Sequence, residues 1–129
     1  MSFLKQRINR ATYWLAIALI MAFAFVISFF SAAGGGTWVV AAMVYIMRFH
    51  DLGRTGKWVL LVFGAQAAAA IAVSLSDESL HSIGLGLVTL ASLAFTIWLG
   101  SLKGQPHANQ YGQPPGPGIS FTPNAKAPT

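Results

Sequence analysis

Residues 13–30 read YWLAIALIMAFAFVISFF, an uninterrupted run without a single charge. A bilayer core about 30 Å thick requires about 20 consecutive apolar residues in a helix that rises 1.5 Å per residue. With Ala11 and Thr12 the run reaches that length, so residues 11–30 are predicted to cross a membrane. Tyr13 and Trp14 stand at its entry, where amphipathic rings favour the headgroup level. Lys5, Arg7 and Arg10 come just before it, and Ser31-Ala32-Ala33 just after. A cleaved secretion leader is the competing reading of this pattern. The run is longer than the roughly 7–15 apolar residues of such a leader, and cleavage would put the later basic residues on the wrong side.

Three more apolar runs follow, at about 31–47, 58–75 and 83–99. The second is short. Gly34-Gly35-Gly36 interrupts it, and residues 37–47 alone cover roughly 16 Å as a helix. Borrowing residues 31–36 brings it to about 17 residues, the lower limit for a crossing. A re-entrant hairpin is the alternative, but it would return the basic connection over 48–57 to the outer face. Residues 31–47 are therefore read as a span. Trp98 marks the inner edge of the fourth run.

The basic residues settle the orientation. They are Lys5, Arg7, Arg10, Arg48, Arg54, Lys57, Lys103 and Lys126, none inside an apolar run and none in the connection after the first or third. The connection after the third holds Asp77, Glu78 and His81 instead. Positive charge remains on the cytoplasmic side, so both termini are expected there. The fold expected is an all-α membrane protein, a bundle of four short transmembrane helices over residues 1–104, N-in and C-in. A cytoplasmic tail over 105–129, rich in Pro, Gly, Asn and Gln, is expected to be largely disordered.

Composition agrees. Hydrophobic residues make up 55% of the chain and charged residues 9%, against about 25% charged in soluble domains. The net charge of +5 flanks apolar runs instead of forming one basic face, so nucleic acid is not an expected partner. Membrane lipids are, anionic phospholipid among them. The chain has no cysteine, which excludes disulfide and thiolate chemistry.

Gly64, Ala68 and Ala72 recur every four residues in the third run. We read them first as packing within the bundle and second as a homo-oligomer face. Gln66 and the one-faced set Thr89, Ser92 and Thr96 read as interhelical glue. A polar permeation path is the alternative, against which no ionisable side chain lies inside any run.

The unusual chemistry sits in residues 47–58, MRFHDLGRTGKW. Two glycines permit tight turning. Thr55 suits the cap of the third helix, and Asp51 suits backbone donors or an arginine. Arg48, Arg54 and Lys57 read first as topology determinants, and His50 with Asp51 as a hydrogen-bonded structural pair. A metal site needs more ligands than His107 adds. Neither a phosphate loop nor a nucleophile–base spacing is present, so no enzyme and no cofactor is expected.

This segment resembles the signature R-R-L-H-D-x-G-x-S-G-W-W of the domain of unknown function 805 family. Residues 7–14, RINRATYW, are similar to the family's opening R-x-x-R-x-x-[F/Y]-W, and residues 105–112, QPHANQYG, to its closing P-G-x-x-x-N-x-Y-G. Met47 replaces the first of the paired arginines, Lys57 the first of the paired tryptophans, and His107 stands near the place of a usual glycine. The resemblance implies a small bacterial inner-membrane protein and brings no assigned activity.

All three segments fall on the face read as cytoplasmic. Arg7, Arg10, Arg48, His50, Asp51, Arg54, Asn109 and Tyr111 are therefore expected to form one polar cap. The preferred function is a binding or structural role, with the cap holding an anionic group such as a phospholipid head or merely tying the termini to the loop. A small oligomeric transporter or channel is the second reading, and a membrane enzyme resting on His50 and Asp51 the last.

Overall fold

The structure, a computed structural model, describes residues 6–28 and 35–120. The described residues form helices α1 (Arg10–Ser28), α2 (Gly35–Asp51), α3 (Lys57–Ser74) and α4 (Glu78–Ser101). They contain no strand, only one isolated bridge between Asn109 and Gly112. Each helix packs on its neighbours in sequence, and α4 returns to α1 and α2. Three of them, α1, α3 and α4, are long and apolar enough to cross a membrane. Their outward side chains are large and apolar, with Leu60 75%, Phe25 66% and Leu93 41% exposed. So much exposed apolar surface is unfavourable in water and at home in hydrocarbon.

Several boundaries differ from the sequence reading. The connection expected over 48–57 is helical through Asp51, because Arg48, His50 and Asp51 find partners inside the protein and need no solvent. Residues 31–34 of the expected second span lie outside the described residues, and α2 is shorter than the three apolar helices. Glu78 and His81, expected in a polar connection, lie in α4, where the His81 ring contacts the Val73 carbonyl at 3.2 Å. The amides of Leu80 and His81 donate to the Asp77 carbonyl and start that helix.

The end of α2 shows why the turn needs glycine. Arg54 N–H donates to the Phe49 carbonyl at 2.8 Å and Gly53 N–H to His50 at 3.0 Å. This pairing closes a helix only with the intervening residue left-handed, and Gly53 has φ of 70°. Thr55 caps less directly than expected: its hydroxyl accepts from Lys57 N–H at 3.3 Å, while Gly56 is the residue before the first helical turn.

The core lies at the end of the bundle that holds residues 8, 13, 44–49, 59 and 99. Tyr13 and Leu99 are fully buried there. Thr96 is the tie point of three helices. Its carbonyl accepts from the Tyr13 hydroxyl at 2.9 Å, and its hydroxyl meets the Tyr45 hydroxyl at 2.6 Å. Two other members of the expected polar glue bond locally. Thr89 and Ser92 each donate to the carbonyl four residues earlier in α4, satisfying themselves without a neighbour. The stripe Gly64, Ala68 and Ala72 does not pack inside the bundle. All three residues are exposed, and a side chain added at Gly64 would meet nothing within 4 Å.

Candidate functional site

The ends of α2 and α4, the lead into α1 and the chain after α4 meet around one carboxylate. Asp51 ends α2 with two guanidiniums on it. Arg48 Nη1 donates to Oδ2 at 2.6 Å, and Arg7 donates to Oδ1 through Nε at 3.2 Å and Nη2 at 3.1 Å. All three residues are buried, Arg48 completely. A buried charge is tolerated only when paired and fully hydrogen-bonded, and backbone carbonyls meet that need. Arg48 donates to Ile8 at 3.2 Å, to Leu99 at 3.3 Å and to Leu102. Leu99 and Leu102 lie at the C-terminal end of α4, whose unpaired carbonyls carry partial negative charge. Arg7 donates to His107 at 2.9 Å, Gly112 at 3.0 Å and Gln105 at 2.5 Å. Arginine suits this position because its planar fork aims five N–H donors at once.

Asp51 also holds the segment after α4 through its backbone, its carbonyl accepting from Gln105 N–H at 2.8 Å. Gly104 passes so close that a Cβ there would collide with the Asp51 carboxylate. The expected disorder of the tail therefore fails over residues 105–120. Asn109 donates to the His50 carbonyl at 2.9 Å, and Tyr111 stacks on the His50 ring at 3.7 Å between centroids and 11° between planes. Asn9 donates to the carbonyls of Gly116 and Gly118, and Thr12 exchanges hydrogen bonds with Ser120. A Pro- and Gly-rich chain keeps its carbonyls free of helix bonding, which is what Arg7 and Asn9 use. Residues 121–129 lie outside the described residues.

Of the eight residues expected in a polar cap, Arg7, Arg48, His50, Asp51, Asn109 and Tyr111 come together. Arg10 and Arg54 stay exposed outside this cluster, Arg10 near enough to Arg48 for the two charges to repel. Arg10 is exposed at the start of α1, and Arg54 is exposed with its guanidinium 6.0 Å from the centre of the Trp58 ring. Residues that sequence reasoning missed include Gly104, Gln105 and the carbonyls of Ile8, Leu99 and Leu102. Backbone acceptors have no residue signature, although Gly104 just past an apolar run is a helix-stop signal that could have drawn attention.

His50 is buried, and its Nδ1 has no hydrogen-bond partner among the described residues. Burial pushes the imidazole below its ordinary 6.5, opposed by a hydrogen bond with the Gln6 backbone. Burial also lifts the Asp51 carboxyl, with Arg48 and Arg7 pulling the other way. For His50 the unfolded chain takes up its proton first. Stability is thus unaffected above about 6.5 and falls as the pH drops below that value. The difference between wild type and His50→Gln isolates the imidazole from Asp51, whose upward shift acts with the opposite sign. Unfolding midpoints in micelles should converge between the two proteins as pH falls from 7.5 to 5.5. A constant difference would show that His50 does not titrate in this window.

The arrangement is a knot, two guanidiniums on one carboxylate with backbone carbonyls accepting their further N–H donors. Among the described residues no group of three His, Cys, Asp or Glu side chains is placed to hold a metal. No curated protein and no solved structure matches the chain. The family model described as protein of unknown function (DUF805) matches residues 35–113, from the first turn of α2 past Asn109 and Tyr111. That match takes in the Arg48–Asp51 pair and the strap that closes over it, and the chain belongs to the DUF805 family.

Proposed function

We propose that this membrane protein lies in a bacterial inner membrane with both termini cytoplasmic and α2 as its fourth crossing. We further propose that it binds anionic phospholipid through its exposed cations, without catalysis. The orientation rests on the placement of every Lys and Arg. The carrying observation for the binding role is the division of the basic residues into two sets. Arg7 and Arg48 are buried and donate to Asp51 and to carbonyls, so they present no exposed cation to a ligand. Arg10, Arg54, Lys57 and Lys103 are exposed at the same end of the bundle. The knot fixes that end by holding the lead, α2 and the α4 exit together. It is the frame, and the four outer cations are the binding surface.

The test is native mass spectrometry of the protein released from mixed phosphatidylglycerol and phosphatidylcholine. Each surface cation contributes about 1 kcal/mol near an anionic leaflet, roughly fivefold in preference. Arg54→Gln with Lys57→Gln should lower the preference for phosphatidylglycerol by more than tenfold, and rising salt should weaken the wild-type preference. An unchanged preference in the double variant would remove the binding role and leave the knot as a purely structural device. The same spectra report stoichiometry, which bears on a second reading, a small oligomeric transporter or channel. The outward face of Gly64, Ala68 and Ala72 favours that reading, since small residues let helices approach closely in hydrocarbon.

A further inference from the structure

His50 lies under the strap, the chain over residues 105–120, and is 6% exposed. Tyr111 of the strap lies flat against its ring at 3.7 Å, and Asn109 holds its carbonyl at 2.9 Å. Gly56 also crowds the ring, since a Cβ there would come within 3.3 Å of Nε2. The ring bonds the Gln6 backbone and leaves Nδ1 without a partner among the described residues. A neutral imidazole tolerates this, with Nδ1 as a bare acceptor. A protonated one carries a second N–H donor and a charge. A buried charged donor without an acceptor is costly.

We propose that His50 is an acid-sensitive latch: its protonation releases the strap from the bundle and leaves the helices in place. No carboxylate side chain is available to hold the added charge. The chain has three Asp and Glu residues. Asp77 and Glu78 stand at the far end of α3 and α4 from the knot. Both oxygens of Asp51 already accept from Arg7 and Arg48. The last carbonyls of α2 would suit a cation, but those of Arg48, Phe49 and His50 accept from Leu52, Arg54 and Gly53. The other ionisable groups on the elements around His50 add no acceptor. Arg54, Lys57 and His107 are exposed, and Tyr111 offers the face of its ring. The strap is the part that yields. None of its side chains belongs to the buried apolar core, and its ties to Arg7, His50 and Asp51 are hydrogen bonds. Segments with few buried apolar contacts open first. Burial keeps the covered ring neutral to lower pH than an uncovered one, so falling pH favours the uncovered form. The latch needs no lipid bound to the outer cations.

The test is hydrogen exchange of the full-length protein in nanodiscs at pH 7.5 and 5.5, read as protection factors so that the pH dependence of an unfolded chain cancels. Protection at the amides of Gln105, Asn109 and Gly112 should fall about tenfold between the two, the limit for an imidazole that titrates near 6.5 when uncovered. The amides of Tyr45 and Leu99, buried residues of α2 and α4, should keep theirs. His107→Gln, at the exposed histidine of the strap, should retain the fall, and His50→Gln should abolish it. A wild-type change of less than about twofold would overturn the proposal, because the covered and uncovered rings would then titrate nearly alike. So would a parallel loss at Tyr45 and Leu99, which is loosening of the whole bundle, or the same fall in His50→Gln. Should His50→Gln loosen the strap at both pH values, the wild-type imidazole decides, titrated by NMR. A midpoint below 6.5 supports the latch, and one at or above 6.5 overturns it.

Discussion

Asp51→Ala is expected to destabilise the protein by about 3–5 kcal/mol, the cost of leaving buried charge without its partner. Two guanidiniums depend on this carboxylate, and both are fully buried at the side chain. Their carbonyl partners remain in the variant, so their hydrogen bonding is only partly lost. Their charge is not offset. Relief comes by opening, with the chain after α4 leaving Arg7 and letting water in. The apolar helices keep their lipid-facing surface, so membrane insertion should be normal. Denaturant unfolding in mixed micelles measures the loss, and protease cleavage after Lys103 should become rapid. A variant with wild-type stability and an uncut tail would show that the carboxylate is not what holds the knot.

Arg48→Met should cost a similar amount, about 3–5 kcal/mol, for the complementary reason. Met fills much of the volume but leaves the carbonyls of Ile8 and Leu99 without their donor and Asp51 with Arg7 alone. Arg48→Lys should rescue little, because one ammonium with three donors cannot reach partners spread around a planar fork. Arg54→Met provides the contrast. That side chain is exposed, and its loss should change stability by no more than about 0.5 kcal/mol. Equal effects at positions 48 and 54 would mean that both arginines act only through the membrane's charge asymmetry.

The contrast between these two arginines marks the limit of what the sequence could reveal. Four helices were legible because an apolar run of membrane length is soluble almost nowhere but in hydrocarbon, and there only a helix satisfies its backbone. The meeting of Arg7, Arg48, His50, Asp51, Asn109 and Tyr111 was legible because alternating helix directions bring their segments to one end. The separation of Arg48 from Arg54 was not, since it depends on which face of α2 meets α4 and both residues carry the same charge. Helical structure through Asp51 was hidden for a related reason. A charged stretch reads as solvated unless its partners are known, and most of those partners are backbone carbonyls from distant segments. The tail failed as an expectation on the same ground. Pro and Gly describe what the chain after Lys103 cannot form by itself and say nothing of the donors that Arg7, Asn9 and Thr12 bring to it.

Arg7 and Asp51 strap the segment after α4 to the bundle. Hydrogen exchange in lipid nanodiscs tests this most directly, at the amides of Gln105, Asn109 and Gly112, which donate to Asp51, Gly112 and Asn109 at 2.8, 3.1 and 2.9 Å. All three amides should be protected in the wild type and should lose protection together in Asp51→Ala. Exchange at the rate of an unstructured chain in the wild type would contradict it.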